Sequence, residues 1–140
     1  MGKKVVVAIG GNSLITDPQH QTVEDQYLAA AETDHHIAGL VADGWDVVIT
    51  HGNGPQIGFI LRRSDLASHE LHEVPLDVCG ADTQGAIGYM FQRALRNEFR
   101  RRQMARRAIS TRFGCRTSWV IPRTRASAPT TRACDSRSSR

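Results

Sequence analysis

Apolar positions follow two patterns along the chain. Val5-Val6-Val7-Ala8-Ile9 and Val47-Val48-Ile49 are continuous runs rich in β-branched residues. Short runs of this kind, closed by glycine or turn residues, predict strands buried on both faces of a parallel sheet. Between them, after a polar loop from Ser13 to Gln21, Tyr27, Ala30, Ala31, Ile37, Leu40 and Val41 recur at roughly helical spacing. Thr22 with Asp25 three residues on reads as a capping box, and Gly44 stands where a helix-terminating glycine belongs. Pro55 suits the first turn of a second helix carrying Ile57, Phe59, Ile60 and Leu61. Glu73 to Asp77 reads as extended, because Pro75 pushes the residue before it out of the helical region. From about Asp82 to Arg102 the helical period returns, with Ile87, Met90, Phe91, Leu95 and Phe99 on one side. Strand, helix, strand, helix, helix predicts α/β architecture with parallel strands and right-handed crossovers. No internal repeat is present.

Charge divides the chain in two. The net charge of +4 hides a balance of −8 over residues 1–92 and +12 over residues 93–140, where fourteen arginines meet only Glu98 and Asp135. Over residues 111–140 there are seven Arg, five Ser and five Thr, no Lys, no Leu and one acid. Phe113, Trp119, Val120 and Ile121 fit neither a helical nor a strand template there. Such a segment buries too little apolar surface to offset its ordering entropy. The reading is therefore a structured unit over 1–110 and a disordered Arg/Ser/Thr-rich tail over 111–140. The tail also has the composition of a GC-rich coding sequence read out of frame, which points to a frameshift near residues 103–111. Translation of the other frames of the nucleotide sequence checks this: a continued α/β pattern supports it, and its absence removes it.

Several function classes drop out. No apolar run approaches the ~18 residues of a membrane span. The stretch Val5–Ile9 is too short for a secretory h-region, and Val6 occupies the position where a myristoylation signal needs Ser or Thr. A cytoplasmic location is expected. Cys79, Cys115 and Cys134 lack the spacing of a zinc site or a disulfide framework. His69-Glu70-Leu71-His72-Glu73 is not the H-E-x-x-H pattern, and His35 and His36, being adjacent on a helix, cannot chelate as a pair.

The candidate chemistry lies in two loops, Gly10-Gly11-Asn12 after the first strand and His51-Gly52-Asn53-Gly54 after the second. Ligands of open α/β sheets bind at the carboxyl ends of strands. Glycines there allow positive φ and close backbone approach, so that peptide N–H groups can surround phosphoryl oxygens. A following helix N-terminus adds partial positive charge, and Asn12 and Asn53 can donate amide hydrogens without adding charge. Neither loop fits G-x-G-x-x-G or the P-loop pattern.

Val6-Val7-Ala8-Ile9-Gly10-Gly11-Asn12, Thr50-His51-Gly52-Asn53-Gly54-Pro55-Gln56 and Pro75-Leu76-Asp77-Val78-Cys79-Gly80-Ala81, followed by Gln84-Gly85 and Ile87-Gly88-Tyr89, resemble carbamate kinase, a family of the amino-acid kinase superfamily. Many superfamily members carry a lysine two residues before the glycine pair; Ala8 stands there, as in carbamate kinases. The resemblance runs from residue 3 to about 110. It implies a three-layer α/β/α sandwich with a mostly parallel sheet, a homodimer, and Mg2+-dependent reversible phosphoryl transfer between carbamoyl phosphate and ADP. By the same resemblance Gly10, Gly11, Asn12, Gly52, Asn53 and Gly54 line the carbamate and phosphoryl site. The family's nucleotide-binding half, with its catalytic lysines, lies beyond the matching region. The only lysines here, Lys3 and Lys4, precede the first strand, ~16 Å from the glycine loop. These 140 residues alone are accordingly expected to be inactive.

The alternative is a nucleic-acid-binding module acting through the arginine-rich tail. Its binding would weaken steeply with salt, but the tail lacks interleaved aromatics and any recognised motif.

Overall fold

Strands β1 (Lys4–Ile9) and β2 (Asp46–His51) lie parallel, in register from Lys4 opposite Asp46 to Ile9 opposite His51. The structure, a computed structural model, describes residues 3–104 and the backbone of two further segments, β3 (Ile109–Ser110) and β4 (Thr117–Ile121). The sheet order is β1-β2-β4-β3, with β4 antiparallel to both of its neighbours. The class is thus α/β with a small parallel sheet, as expected. The strand at Thr117–Ile121 departs from the reading of that segment as patternless. Thr, Trp, Val and Ile suit a pleated backbone, and β2 offers an edge for them to pair with. The rest of the expected tail lies outside the described residues.

The crossover from β1 to β2 runs through a 3-10 turn (Gly11–Leu14) and helix α1 (Val23–Ala42). The capping box forms as expected: the Thr22 hydroxyl accepts from the Asp25 amide at 3.1 Å, and the Asp25 carboxylate accepts from the Thr22 amide at 2.9 Å. At the other end Gly44 takes φ 87°, and the Gly44 and Trp45 amides close onto the Val41 and Leu40 carbonyls. That pair of bonds is a Schellman cap, which favours glycine at the left-handed position. Helix α2 (Gly54–Ala67) starts directly from the second loop with Pro55 in its first turn. Helix α3 (Leu76–Arg101) begins earlier than its apolar period suggested. Of the Glu73–Asp77 stretch expected to be extended, Pro75 is so at φ −61° and ψ 151°, but it is itself the N-cap, so Leu76 and Asp77 are already helical.

Helices α1 and α3 cover one face of the sheet. Val47, Ile49, Ile87, Phe91, Leu95 and Phe99 are the centre of this core, joined by Ala30, Ile37 and Val41 from α1 and by Leu14 from the 3-10 turn. The opposite face is open among the described residues: Val6 is 66% exposed and Ala8 is exposed too. The expectation that β1 is buried on both faces is therefore corrected; its burial alternates, and two of the three expected layers are present in the described residues. Of the two glycines near the middle of α3, Gly85 faces open space, whereas Gly88 is buried. Among the described residues no helix is long and apolar enough to cross a membrane.

The α1–α3 contact also buries charge. Glu98 of α3 accepts from Arg102 Nε at 2.7 Å and Arg101 Nη1 at 2.6 Å, and His35 Nδ1 of α1 stands 3.0 Å away. Arg102 also donates to the His35 carbonyl at 2.8 Å, tying the end of α3 to the middle of α1. Its guanidinium is the main reason the Glu98 carboxyl sits below the usual range. Asp34, which precedes His35 on α1, is fully buried, and neither carboxylate oxygen has a hydrogen-bond partner among the described residues. Burial pushes its carboxyl up to about 9, with the Glu98 charge adding to the effect and the Leu95 backbone offsetting part of it. At neutral pH the folded state therefore holds a proton on Asp34 that the unfolded chain releases.

A raised folded-state pKa contributes stability that is complete below the unfolded value and is lost as pH rises through the folded one. Stability should thus decline between about pH 4 and pH 9, by up to about 1.4 kcal/mol per pH unit from this group. Asp34→Asn should raise the urea midpoint at pH 8 and flatten that decline. Equal slopes for the two proteins in urea titrations across this range would contradict the assignment.

Candidate functional site

Because Ile9 and His51 are opposite each other in register, both glycine loops leave the sheet at the same level. The Gly52 amide donates to the Ile9 carbonyl at 2.9 Å, continuing the ladder one residue past the strand. The loops then touch. A Cβ on Gly11 would stand 3.0 Å from the Gly54 nitrogen, 3.1 Å from the Asn53 nitrogen and 3.1 Å from Pro55 Cδ. A Cβ on Gly52 would stand 3.0 Å from the Gly11 nitrogen. Glycine is required at both positions by close approach. Positive φ plays no part, since Gly44 is the one described glycine with that geometry. Gly10, extended at φ −66°, caps the 3-10 turn, and Gly54 opens α2 with free space where a Cβ would be.

All six glycine and asparagine candidates are thus gathered at the carboxyl ends of β1 and β2. Gly10, Gly11 and Asn12 form the first wall; Gly52, Asn53 and Gly54 form the second. The Asn53, Gly54 and Gln56 amides at the start of α2 have no acceptor among the described residues, and Pro55 has no N–H to offer. Such orphan donors at a helix N-terminus carry partial positive charge. The lysines stand at the other end of β1, where Lys3 Nζ lies 5.2 Å from the centre of the Trp45 ring.

Four side chains support the loops; His51 and Gln56 stand within the second sequence motif, whereas Thr83 and Gln26 carry no recognisable sequence signal. Thr83, buried on α3, accepts an amide hydrogen from Asn53 Nδ2 at 2.8 Å. Its own hydroxyl is directed to the Cys79 and Gly80 carbonyls, at 2.9 and 3.0 Å, so it can only accept from Asn53. One of the two Asn53 amide hydrogens is therefore committed to the fold. Gln56, buried on α2, donates to the Gly11 carbonyl at 3.4 Å and to Gln26 Oε1 at 3.1 Å. Gln26 in turn donates to the Gln21 carbonyl at 3.1 Å. This amide relay fastens the first loop to both helices. His51 is buried against Phe91, and burial lowers its pKa, so the ring is held neutral. Among the described residues no group of three or more His, Cys, Asp or Glu could hold a metal ion.

The arrangement defines an α/β protein with two mutually packed glycine loops on adjacent parallel strands. Comparison with known proteins makes the family specific. The carbamate kinase of Pyrococcus furiosus is 45% identical over 112 residues, covering 79% of this chain and 36% of that protein. The carbamate kinase-like protein YahI of Escherichia coli K12 is 47% identical over 103 residues, covering 72% of this chain and 33% of that protein. The structure of Giardia lamblia carbamate kinase bound to AMP-PNP superposes with a TM-score of 0.70 at 37% identity, over 74% of this chain and 36% of that one. No family model matches the chain. The chain is a carbamate kinase relative, a partial homologue that spans about a third of the length of the curated relatives it matches.

Close approach makes opposite predictions for two glycines of the same site. Gly11→Ala forces a methyl against backbone nitrogens that cannot swing aside, and should destabilise the fold by about 1–3 kcal/mol. Gly54→Ala meets open space and should leave stability unchanged or raise it by up to about 1 kcal/mol. Urea unfolding of the two variants beside the parent decides the matter; equal effects would refute the loop contact.

Proposed function

We propose that this chain is the substrate-binding part of a carbamate kinase-type phosphotransferase, which moves a phosphoryl group reversibly between carbamoyl phosphate and ADP. In this reading Gly10, Gly11, Asn12, Gly52, Asn53 and Gly54 hold the carbamate and the transferred phosphoryl group. The observation that carries it is the meeting of two bare loops with the orphan amides of the α2 N-terminus, in a chain related to carbamate kinases. Backbone donors suit a transition state whose charge spreads over three phosphoryl oxygens, because they need no reorganisation as charge develops.

Other elements of the reaction lie outside the described site. Carbamate or carbamoyl phosphate and ATP or ADP are the small-molecule partners, with Mg2+ arriving on the nucleotide. The Giardia relative binds the nucleotide analogue AMP-PNP. A homodimer is the assembly proposed for the complete enzyme. No observation on the described residues favours nucleic-acid binding: Arg93 stacks over Tyr27 at 4.4 Å, and Arg101 and Arg102 are bound to Glu98.

In-line transfer also needs cations beside the spreading charge and a surface that positions ADP. Residues 1–140 by themselves should therefore form no ATP from carbamoyl phosphate and ADP above background in a coupled assay. Weak binding of phosphate or carbamoyl phosphate, read by amide shifts of residues 10–12 and 52–54, should remain. Asn53→Asp should abolish it, because a carboxylate at the loop repels the anion. Thr83→Val, which removes the Asn53 anchor without adding charge, should weaken it less. Turnover by the 140 residues alone contradicts the account of the missing cations; absence of binding removes the loops' proposed role.

A further inference from the structure

His51 closes β2 at the point where the second loop begins, and its imidazole has two unlike nitrogens. Nδ1 lies 3.3 Å from the Gly52 carbonyl oxygen. Nε2 is buried with no hydrogen-bond partner among the described residues. A carbonyl oxygen can only accept, so Nδ1 must carry the hydrogen in this contact. A proton on Nε2 as well would bury a charged N–H with nothing to receive it. The surroundings therefore select one neutral tautomer, with Nδ1 protonated and Nε2 bare.

The tautomer matters because of what shares the Gly52 peptide plane. In a trans peptide the carbonyl of one residue and the N–H of the next point in opposite directions, and this chain has no cis bond among its described residues. Drawing the Gly52 carbonyl toward the imidazole turns the Asn53 N–H away from it, onto the other side of the loop. Gly52 is held from its other end as well, since its own N–H is bonded to the Ile9 carbonyl. Both peptides of Gly52 are thus anchored, one by β1 and one by His51. At 3.3 Å the second anchor is long, and it is the part of the loop that a side-chain substitution can release.

We propose that His51 is a positioning residue: its Nδ1–H tautomer holds the Gly52 carbonyl so that the Asn53 amide is presented to an anion between the two glycine loops. The anion's place rests on the function proposed above; the orientation of the peptide does not. His51 touches neither substrate nor reacting atoms. It acts through the backbone, so its loss should reduce anion affinity without removing a direct contact.

The test uses the full 140-residue chain, labelled with 15N, and inorganic phosphate as the probe. The 15N shifts of the imidazole should show the Nδ1–H tautomer, unchanged from pH 8 down to below the ordinary histidine pKa. His51→Asn places an amide donor near the position of Nδ1, and should keep the Asn53 amide resonance and phosphate affinity within about threefold of the parent. His51→Leu fills the same space without a donor; it should shift the Asn53 amide and weaken phosphate binding by about tenfold, at unchanged helical circular dichroism. An Nε2–H tautomer overturns the proposal, and so does a His51→Leu variant that binds phosphate and shows the Asn53 amide as the parent does. If His51→Leu fails to fold, the tautomer and the His51→Asn rescue still decide it. If the parent itself shows no phosphate-dependent shifts, the anion reading fails, while the tautomer and the Asn53 amide in the variants still support or overturn the role of His51.

Discussion

A side chain on Gly11 would drive its Cβ to 3.0 Å from the first nitrogen of α2, and one on Gly52 would do the same to Gly11. This mutual exclusion of side chains is the constraint around which the rest is arranged. The parallel register of β1 and β2 brings the two loops to one level. The bond from Gly52 to Ile9 holds them there, and α2 can start only where the second loop leaves it. Its N-terminal amides therefore open beside the first loop, and the polarity of the site follows from backbone geometry alone.

Holding two loops in contact requires support from behind, and the support is polar. The Gln56–Gln26 relay joins the first loop to α2 and α1, while Thr83 fastens Asn53 to α3. Each of these side chains is buried, and each uses its hydrogen bonds to fix a loop rather than to contact water. The α1–α3 contact holds a costlier group in Asp34, whose carboxylate has no partner among the described residues and so remains protonated at neutral pH. A purely apolar interface would be more stable at alkaline pH, and nothing in the described structure explains why an acid stands there.

Among the described residues, the β1–β2 pair has one covered face and one open face. Helices α1 and α3 seal Val47 and Ile49, while Val6 on the opposite side is largely exposed. The relatives are about three times as long as the portion matched here, as the shared 36% of the Pyrococcus furiosus protein shows. A sheet with a single parallel strand pair and one helical layer is a fraction of an α/β/α sandwich, and the exposed β-branched residues are what such a fraction leaves bare.

Much of this was legible along the chain because it depends on neighbours in sequence. The capping box at Thr22 and Asp25, the Schellman glycine at Gly44 and the apolar stripe from Ile87 to Phe99 all arise within a few helical turns. The glycine and asparagine composition of both loops was equally plain, and so was its place after the strands. The reasons for the glycines were legible only in part: close approach was expected of an anion, not of one loop to the other. Positive φ was a fair expectation for a turn, whereas the actual demand is close approach between residues some forty positions apart, which no local pattern encodes. Thr83 and Gln26 look like ordinary helical polar residues until α1 and α3 are packed beside α2 and its leading loop, and only then do their side chains meet Asn53 and Gln56. The same holds for the strands: β-branched runs specify extended backbone, but the number of buried faces depends on what packs against them. Periodicity is a property of one segment and burial is a property of two, so the elements could be read from the chain and their contacts required the assembled fold.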